Sequence, residues 1–200
     1  MKVFIYDNGL NLSNYITQLN NLKVDYVFSK NVSLINDCNA LLLTGGGNIV
    51  PYLYNKPFLK SCGYDAFTDV AELYLINQFV MNKKTIIGIC KGMQIINVYF
   101  KGTLTSVENH FYTEKNAYHN IKLTKNSFLQ KIFNKNILVN SCHVEKLDKV
   151  ANCLKIEAVS EDGVVEAVKH KTLPIYGVQF HPERMNTYFS NAFFSSLLFK

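Results

Sequence analysis

Residues 85–100 read TIIGICKGMQIINVYF. A short apolar, β-branched run ends in a cysteine with Gly88 two positions before it and Gly92 two positions after it. The run predicts a buried strand, and the apolar spacing that follows predicts a helix. Cys90 falls on the corner between them. A buried structural cysteine needs no glycine on either side. A nucleophile raised on a sharp strand-to-helix turn needs both, because the chain must pass close by a residue held in a strained conformation. The helix that starts there aims its N-terminal dipole at the sulfur and so favours thiolate over thiol. Its unpaired amides, that of Lys91 first, are placed to donate to a developing oxyanion.

Working outward, residues 2–6 (KVFIY) read as a buried strand and residues 12–22 (LSNYITQLNNL) as a helix with Ser13 near its start. VDYVFS and ALLLTGGG are further strands, the second ending in Gly45, Gly46 and Gly47. Residues 69–83 have the spacing of an amphipathic helix, with Val70, Leu73, Ile76, Phe79 and Val80 toward the core. Lys101-Gly102 stops the helix after Cys90. This alternation predicts a doubly wound, mostly parallel sheet flanked by helices, flavodoxin-like in kind. The second half differs. YHNIKLT, ILVNSCHV, LKIEAVSEDGVVEAVKH and PIYGVQF are strands in close succession, two of them joined by a turn at Glu161-Asp162-Gly163, which predicts a small antiparallel extension. A helix over NTYFSNAFFSSLLF follows, with Phe189, Phe193 and Phe194 toward the core together with Met81 and Met93. Residues 51–68 are the longest irregular stretch, rich in aromatics, and read as a substrate loop. No repeat or linker interrupts the chain, so residues 1–200 read as a single domain.

Composition narrows the classes. In 200 residues, 48% are hydrophobic and 18% charged, enough for a full core and unlike a disordered chain. No run approaches the ~20 apolar residues of a membrane span. The start, MKVFIYDNG, is too short in its apolar part for a secretion signal, and a cytoplasmic protein is expected. The net charge of +6 comes from scattered lysines without a basic cluster, so neither nucleic acid nor membrane is an expected partner, and the charge carries only a mild bias toward anionic substrates. Cys38, Cys62, Cys90, Cys142 and Cys153 are odd in number and irregularly spaced, which argues against a disulfide framework. No CxxC pair occurs, and Cys142 and His143, being adjacent, point apart on a strand, so no metal site is expected. His110, His119 and His170 read as solvated or locally hydrogen-bonded.

Two distant segments complete the reading of Cys90. In YGVQFHPE, residues 176–183, a strand ends and His181 follows, with Glu183 two positions on and Pro182 stiffening the step. Residues two apart on an extended segment face the same way, so Glu183 can hold Nδ1–H of His181 and leave Nε2 to face a thiolate. In LLLTGGGN, residues 41–48, the glycines follow a buried strand and offer backbone amides. Their spacing fits neither a dinucleotide fingerprint nor a P-loop, and a second oxyanion donor is the better use.

TGGGN, GICKGMQ, VNSCHVE and GVQFHPE resemble, in order, segments of class I glutamine amidotransferase domains, and among those the free-standing γ-glutamyl hydrolases. The resemblance implies that Cys90 is the nucleophile, His181 the general base and acid, and Glu183 the orienting acid. It implies an oxyanion hole from Gly46 or Gly47 and Lys91, contact of Gln94 with the glutamyl group, and binding of the substrate's α-amino and α-carboxylate groups by Asn140, Ser141, Cys142 and His143. It implies no metal or organic cofactor, a small γ-glutamyl substrate as partner, and leaves a homodimer open. Two positions depart from the pattern. Thr68-Asp69 stands where Arg-Asp is common, and Asn48 where an aspartate often follows the glycines. Both lie near the substrate, which points to an unusual leaving group. The pattern is similar to hydrolases that free glutamate from a γ-glutamyl phosphoramidate carried on CDP, in capsular phosphoramidate biosynthesis. The alternatives are a γ-glutamyl-amine hydrolase, a glutaminase subunit supplying ammonia to a separate synthase, and a non-catalytic binding module.

Overall fold

A computed structural model describes residues 1–57, 63–108, 110, 117–133 and 137–199. Cys62 and the middle of the 51–68 stretch lie outside the described residues. The strands and helices, in chain order, are β1 (Lys2–Tyr6), α1 (Ser13–Asn21), β2 (Asp25–Ser29), β3 (Ala40–Leu43), α2 (Ala66–Met81), β4 (Thr85–Ile89), α3 (Lys91–Tyr99), β5 (Leu104–Ser106), β6 (Ala117–Leu123), β7 (Ile137–Ser141), β8 (Glu145–Leu147), β9 (Leu154–Ser160), β10 (Val165–His170), β11 (Ile175–Val178) and α4 (Thr187–Leu198).

Nine strands form one sheet in the order β2-β1-β3-β4-β11-β10-β9-β6-β7. From β2 to β11 the neighbours are parallel; from β11 to β7 they are antiparallel. The parallel half has the flavodoxin-like order, with β11 as its fifth strand, and ligand sites in such sheets lie beyond the carboxyl ends of the strands. β5 and β8 pair in a separate two-stranded sheet that the sequence pattern does not announce.

Successive side chains of a strand point to opposite faces. Ala40 and Leu42 of β3 accordingly join one core, with Leu12, Leu19, Phe193 and Phe194 of the α1/α4 layer. Leu41 and Leu43 join the other, with Leu75, Ile76, Phe79, Met93 and Ile96 of the α2/α3 layer. A strand buried on both faces must be apolar throughout, which is why β3 and β4 read as unbroken apolar runs. Among the described residues, no helix is long and apolar enough to cross a membrane.

Helix α2 keeps four of its five expected inward positions. Ile76 and Phe79 are buried, Leu73 and Val80 pack against the same core, and Val70 is exposed. The buried face also carries Asp69 and Glu72, which form buried ion pairs with Lys91 of α3. Met81, expected in the core, is exposed. Met93, Phe189, Phe193 and Phe194 are core residues, as expected.

Candidate active site

β4 delivers the chain to Cys90, whose backbone sits at φ 54°, ψ −107°. A non-glycine residue at positive φ stores strain that the surroundings must hold in place. The two glycines make that possible by close approach. A Cβ on Gly88 would lie 2.4 Å from the Gly92 carbonyl oxygen, and one on Gly92 would lie 2.3 Å from the Leu43 carbonyl oxygen. Any side chain there would push α3 away from β4 or from β3. The Cys90 amide donates to the Val178 carbonyl at 2.8 Å, which ties the corner to β11.

β11 ends one residue before Gln179 and three before His181. On one side the His181 imidazole shares a cleft wall with Cys90, close enough to feel its charge. On the other, Nδ1 lies 2.7 Å from Glu183 Oε1. All three side chains are buried. Burial lowers the His181 pKa, but the negative charge and hydrogen bond of Cys90, and those of Glu183, outweigh it and raise it to about 10. Both neighbours thus favour the protonated ring. Asn140 braces the same segment from β7: its side-chain oxygen accepts from the His181 amide at 2.7 Å, and its amide donates to the His181 carbonyl at 2.9 Å.

The loop after β3 closes the other side. The Gly45 amide donates to the Tyr15 hydroxyl at 2.9 Å. Burial, and then the Glu183 charge, push the Tyr15 phenol well above its usual pKa, so it stays a neutral hydroxyl. Among the described residues, the amides of Gly46 and Lys91 meet no protein acceptor. A cleft of about 310 Å³ opens beside Cys90 and His181, with Tyr15, Gly46, Cys142 and Arg184 on its walls. A second hollow adjoins it across Gly46 and is lined by Asn8, Gly47, Asn48, Asp65, Thr68 and Lys91. Lys91 itself is anchored by Nζ, 2.7 Å from Glu72 Oε2 and 2.8 Å from Asp69 Oδ1. Burial lowers its pKa, yet the two carboxylates raise it on balance, while burial raises that of Glu72.

The remaining residues singled out in the sequence divide. The Cys142 carbonyl oxygen faces the Cys90 sulfur at 3.9 Å. The Gln94 amide donates to the Glu145 carbonyl at 2.8 Å and to Gln179 Oε1 at 3.2 Å. Gln179 in turn directs its amide to the Cys90 sulfur at 3.6 Å. Ser141 and His143 turn away from the cleft toward His110, which is buried rather than solvated. His170 is locally hydrogen-bonded, accepting from the Thr172 and Leu173 amides. The sequence reading does not reach Tyr15, Arg184, or the Asp69–Glu72–Lys91 cluster. Gln179 lies within the quoted QFHPE segment, and its place in that segment was its only signal.

A thiol, an imidazole and a carboxylate in series, beside free backbone amides at the carboxyl ends of parallel strands, define a class. The chain belongs to the Peptidase C26 family, the class I glutamine amidotransferase-like hydrolases, and the family pattern matches residues 26–183. It is 32% identical over 163 residues to protein NtpR of Enterococcus hirae, an alignment covering 74% of this chain and 68% of that one. It is 27% identical over 164 residues to the γ-glutamyl-CDP-amidate hydrolase of Campylobacter jejuni, covering 82% and 69%. With a glutamine-hydrolysing GMP synthase component of Methanocaldococcus jannaschii it shares 37% over 109 residues, covering 54% and 56%. The chain spans about two thirds of the length of the curated relatives NtpR and the amidate hydrolase. A crystal structure of a glutamine amidotransferase from Thermotoga maritima has the same fold, with a TM-score of 0.70 at 15% identity over 92% of this chain and 76% of that one.

Proposed function

We propose that the protein hydrolyses a γ-glutamyl amide bond through a thioester on Cys90. The observation that carries this reading is the His181 ring, which shares a cleft wall with Cys90 and lies 2.7 Å from Glu183. The Cys90 thiolate attacks the γ-carbonyl, and the amides of Gly46 and Lys91 receive the oxyanion. The imidazolium of His181 gives its proton to the departing nitrogen, which leaves a γ-glutamyl thioester. His181, now neutral, takes a proton from water as water attacks, and glutamate departs with Cys90 restored as thiolate. Glu183 keeps the ring oriented, and Asn140 fixes the segment that carries it.

Within this chemistry, the reading we favour is hydrolysis of a γ-glutamyl-CDP-amidate to cytidine diphosphoramidate. It is supported by similarity to the Campylobacter jejuni enzyme over most of the chain and by Arg184 on the cleft wall, a cation suited to an anionic substrate. The second reading is a glutaminase component that supplies ammonia to a synthase, favoured by the higher local identity to the Methanocaldococcus jannaschii GMP synthase component. A substrate panel separates them. Glutamine, γ-glutamyl-amines and γ-glutamyl-CDP-amidate are assayed for glutamate release by the chain alone. The favoured reading predicts that the CDP-linked substrate turns over fastest and that Cys90→Ala abolishes release. Glutaminase activity that appears only with an added synthase supports the second reading. Turnover by Cys90→Ala removes both.

A further inference from the structure

Behind the Cys142 segment, three histidines from separate stretches of chain converge on a buried carboxylate. Glu166 of β10 is fully buried, and neither carboxylate oxygen has a hydrogen-bond partner. His119 Nε2 of β6 lies 3.2 Å from Glu166 Oε1, and His110 Nδ1 and His143 Nε2 each lie 3.8 Å from the same oxygen. His119 Nε2 is itself without a hydrogen-bond partner. The other edges of two of the rings are already held. His143 Nδ1 lies 2.9 Å from the Glu145 carbonyl oxygen, and His110 Nε2 lies 2.9 Å from Asp162 Oδ2. An acceptor on each of those edges places the ring proton there, so His110 Nδ1 and His143 Nε2 present lone pairs. These two atoms stand 3.1 Å apart, face to face. Two lone pairs at that distance, beside an unbonded buried carboxylate, repel unless a positive charge lies among them.

The geometry points to a binding site for a divalent transition-metal ion, with zinc the best match, held by His110, His143 and Glu166, with His119 beside the carboxylate. Ligand atoms at ~2.0–2.2 Å from a tetrahedral zinc stand roughly 3.3–3.6 Å apart, and the three spacings here are 3.1, 3.8 and 3.8 Å. Two imidazoles and a carboxylate are a donor set suited to zinc. The outer contacts are those that metal-bound histidines use: a carboxylate behind His110 and a backbone carbonyl behind His143 fix the tautomers that leave the inner nitrogens free to ligate. Three protein ligands leave the fourth position of a tetrahedral ion to water. The ion's effect would fall on the segment beside the nucleophile. The Ser141 hydroxyl and the His143 amide both donate to the His110 carbonyl, at 3.0 and 2.9 Å. Fixing His110 and His143 therefore fixes the stretch from which Asn140 holds His181 and Cys142 faces Cys90.

The test uses the full chain stripped with a chelator and dialysed. Zinc is titrated by calorimetry and by thermal shift. Cobalt(II) is titrated by visible absorption, where a tetrahedral site gives intense d–d bands. The expected result is one equivalent of either metal, a rise in Tm with zinc, and those bands. Glu166→Gln should abolish the bands. Asp162→Asn, at an exposed position in the turn after β9, should weaken zinc binding by about 10–100-fold. Absence of heat, thermal shift and bands in the wild-type chain would overturn the proposal and leave the cluster as imidazoles sharing protons. Binding unchanged in both variants would place the metal elsewhere and overturn it equally.

Discussion

Replacing Cys90 with serine keeps the shape of the corner and removes the sulfur that raises the His181 pKa, and the structure says what should then happen to the ring. The ring is buried, which alone drives its pKa down, yet it is raised from 6.5 to about 10. The anionic partners therefore outweigh burial, and at ~1.4 kcal/mol per pH unit the net preference for the imidazolium is on the order of 5 kcal/mol. An opposite charge at hydrogen-bond distance shifts a pKa by about 1–3 units. Cys90→Ser should lower the His181 midpoint by that amount, with Glu183 alone keeping it from falling further. The assay is an NMR titration of histidine-labelled protein, the resonance assigned by its loss in His181→Gln. Stability should follow. A pKa raised on folding contributes stability that is complete below the unfolded value near 6.5 and is lost as pH rises through about 10. The wild type should therefore lose urea resistance across that window and Cys90→Ser much less. An unchanged His181 midpoint in Cys90→Ser would refute the reasoning, since the ring would then not owe its charge to the sulfur.

Two further substitutions probe the frame. Lys91→Met leaves Asp69 and Glu72 buried without their cation and should cost about 3–5 kcal/mol in urea unfolding, with part recovered by adding Glu72→Gln. Gly92→Ala places a methyl group 2.3 Å from the Leu43 carbonyl oxygen. It should destabilise by about 1–3 kcal/mol as a lowered Tm and abolish turnover, because β3 and α3 carry both proposed oxyanion donors.

The elbow and the His181–Glu183 pair were legible because their geometry is local. Glycines two places from a cysteine, and an acid two places from a histidine, imply backbone shape and side-chain direction without any knowledge of what packs above them. The sheet was legible for a similar reason: a strand buried on both faces must be apolar throughout, as β3 and β4 are. In α2 the apolar spacing found Leu73, Ile76, Phe79 and Val80 but not the inward-facing Asp69 and Glu72. Their burial depends on Lys91, some twenty residues away, and a pattern of apolar residues cannot register a buried charge pair. Tyr15 and Arg184 escaped notice for want of any motif; each is set by the path of the chain around the cleft. The histidine cluster is the extreme case. His110, His119, His143 and Glu166 have no ligand spacing along the chain; the pairing of β6 with β7 and β9, that of β9 with β10, and the bond of the His143 amide to the His110 carbonyl bring them together.

The central claim is that Cys90 forms a covalent acyl bond at this corner, and a diazo-ketone analogue of glutamine tests it most directly. The reagent should add one label per chain, peptide mapping should place it on the Cys90 sulfur, and turnover should fall in step with labelling. Complete loss of activity with the label on another residue, or full activity with Cys90 labelled, would contradict the account.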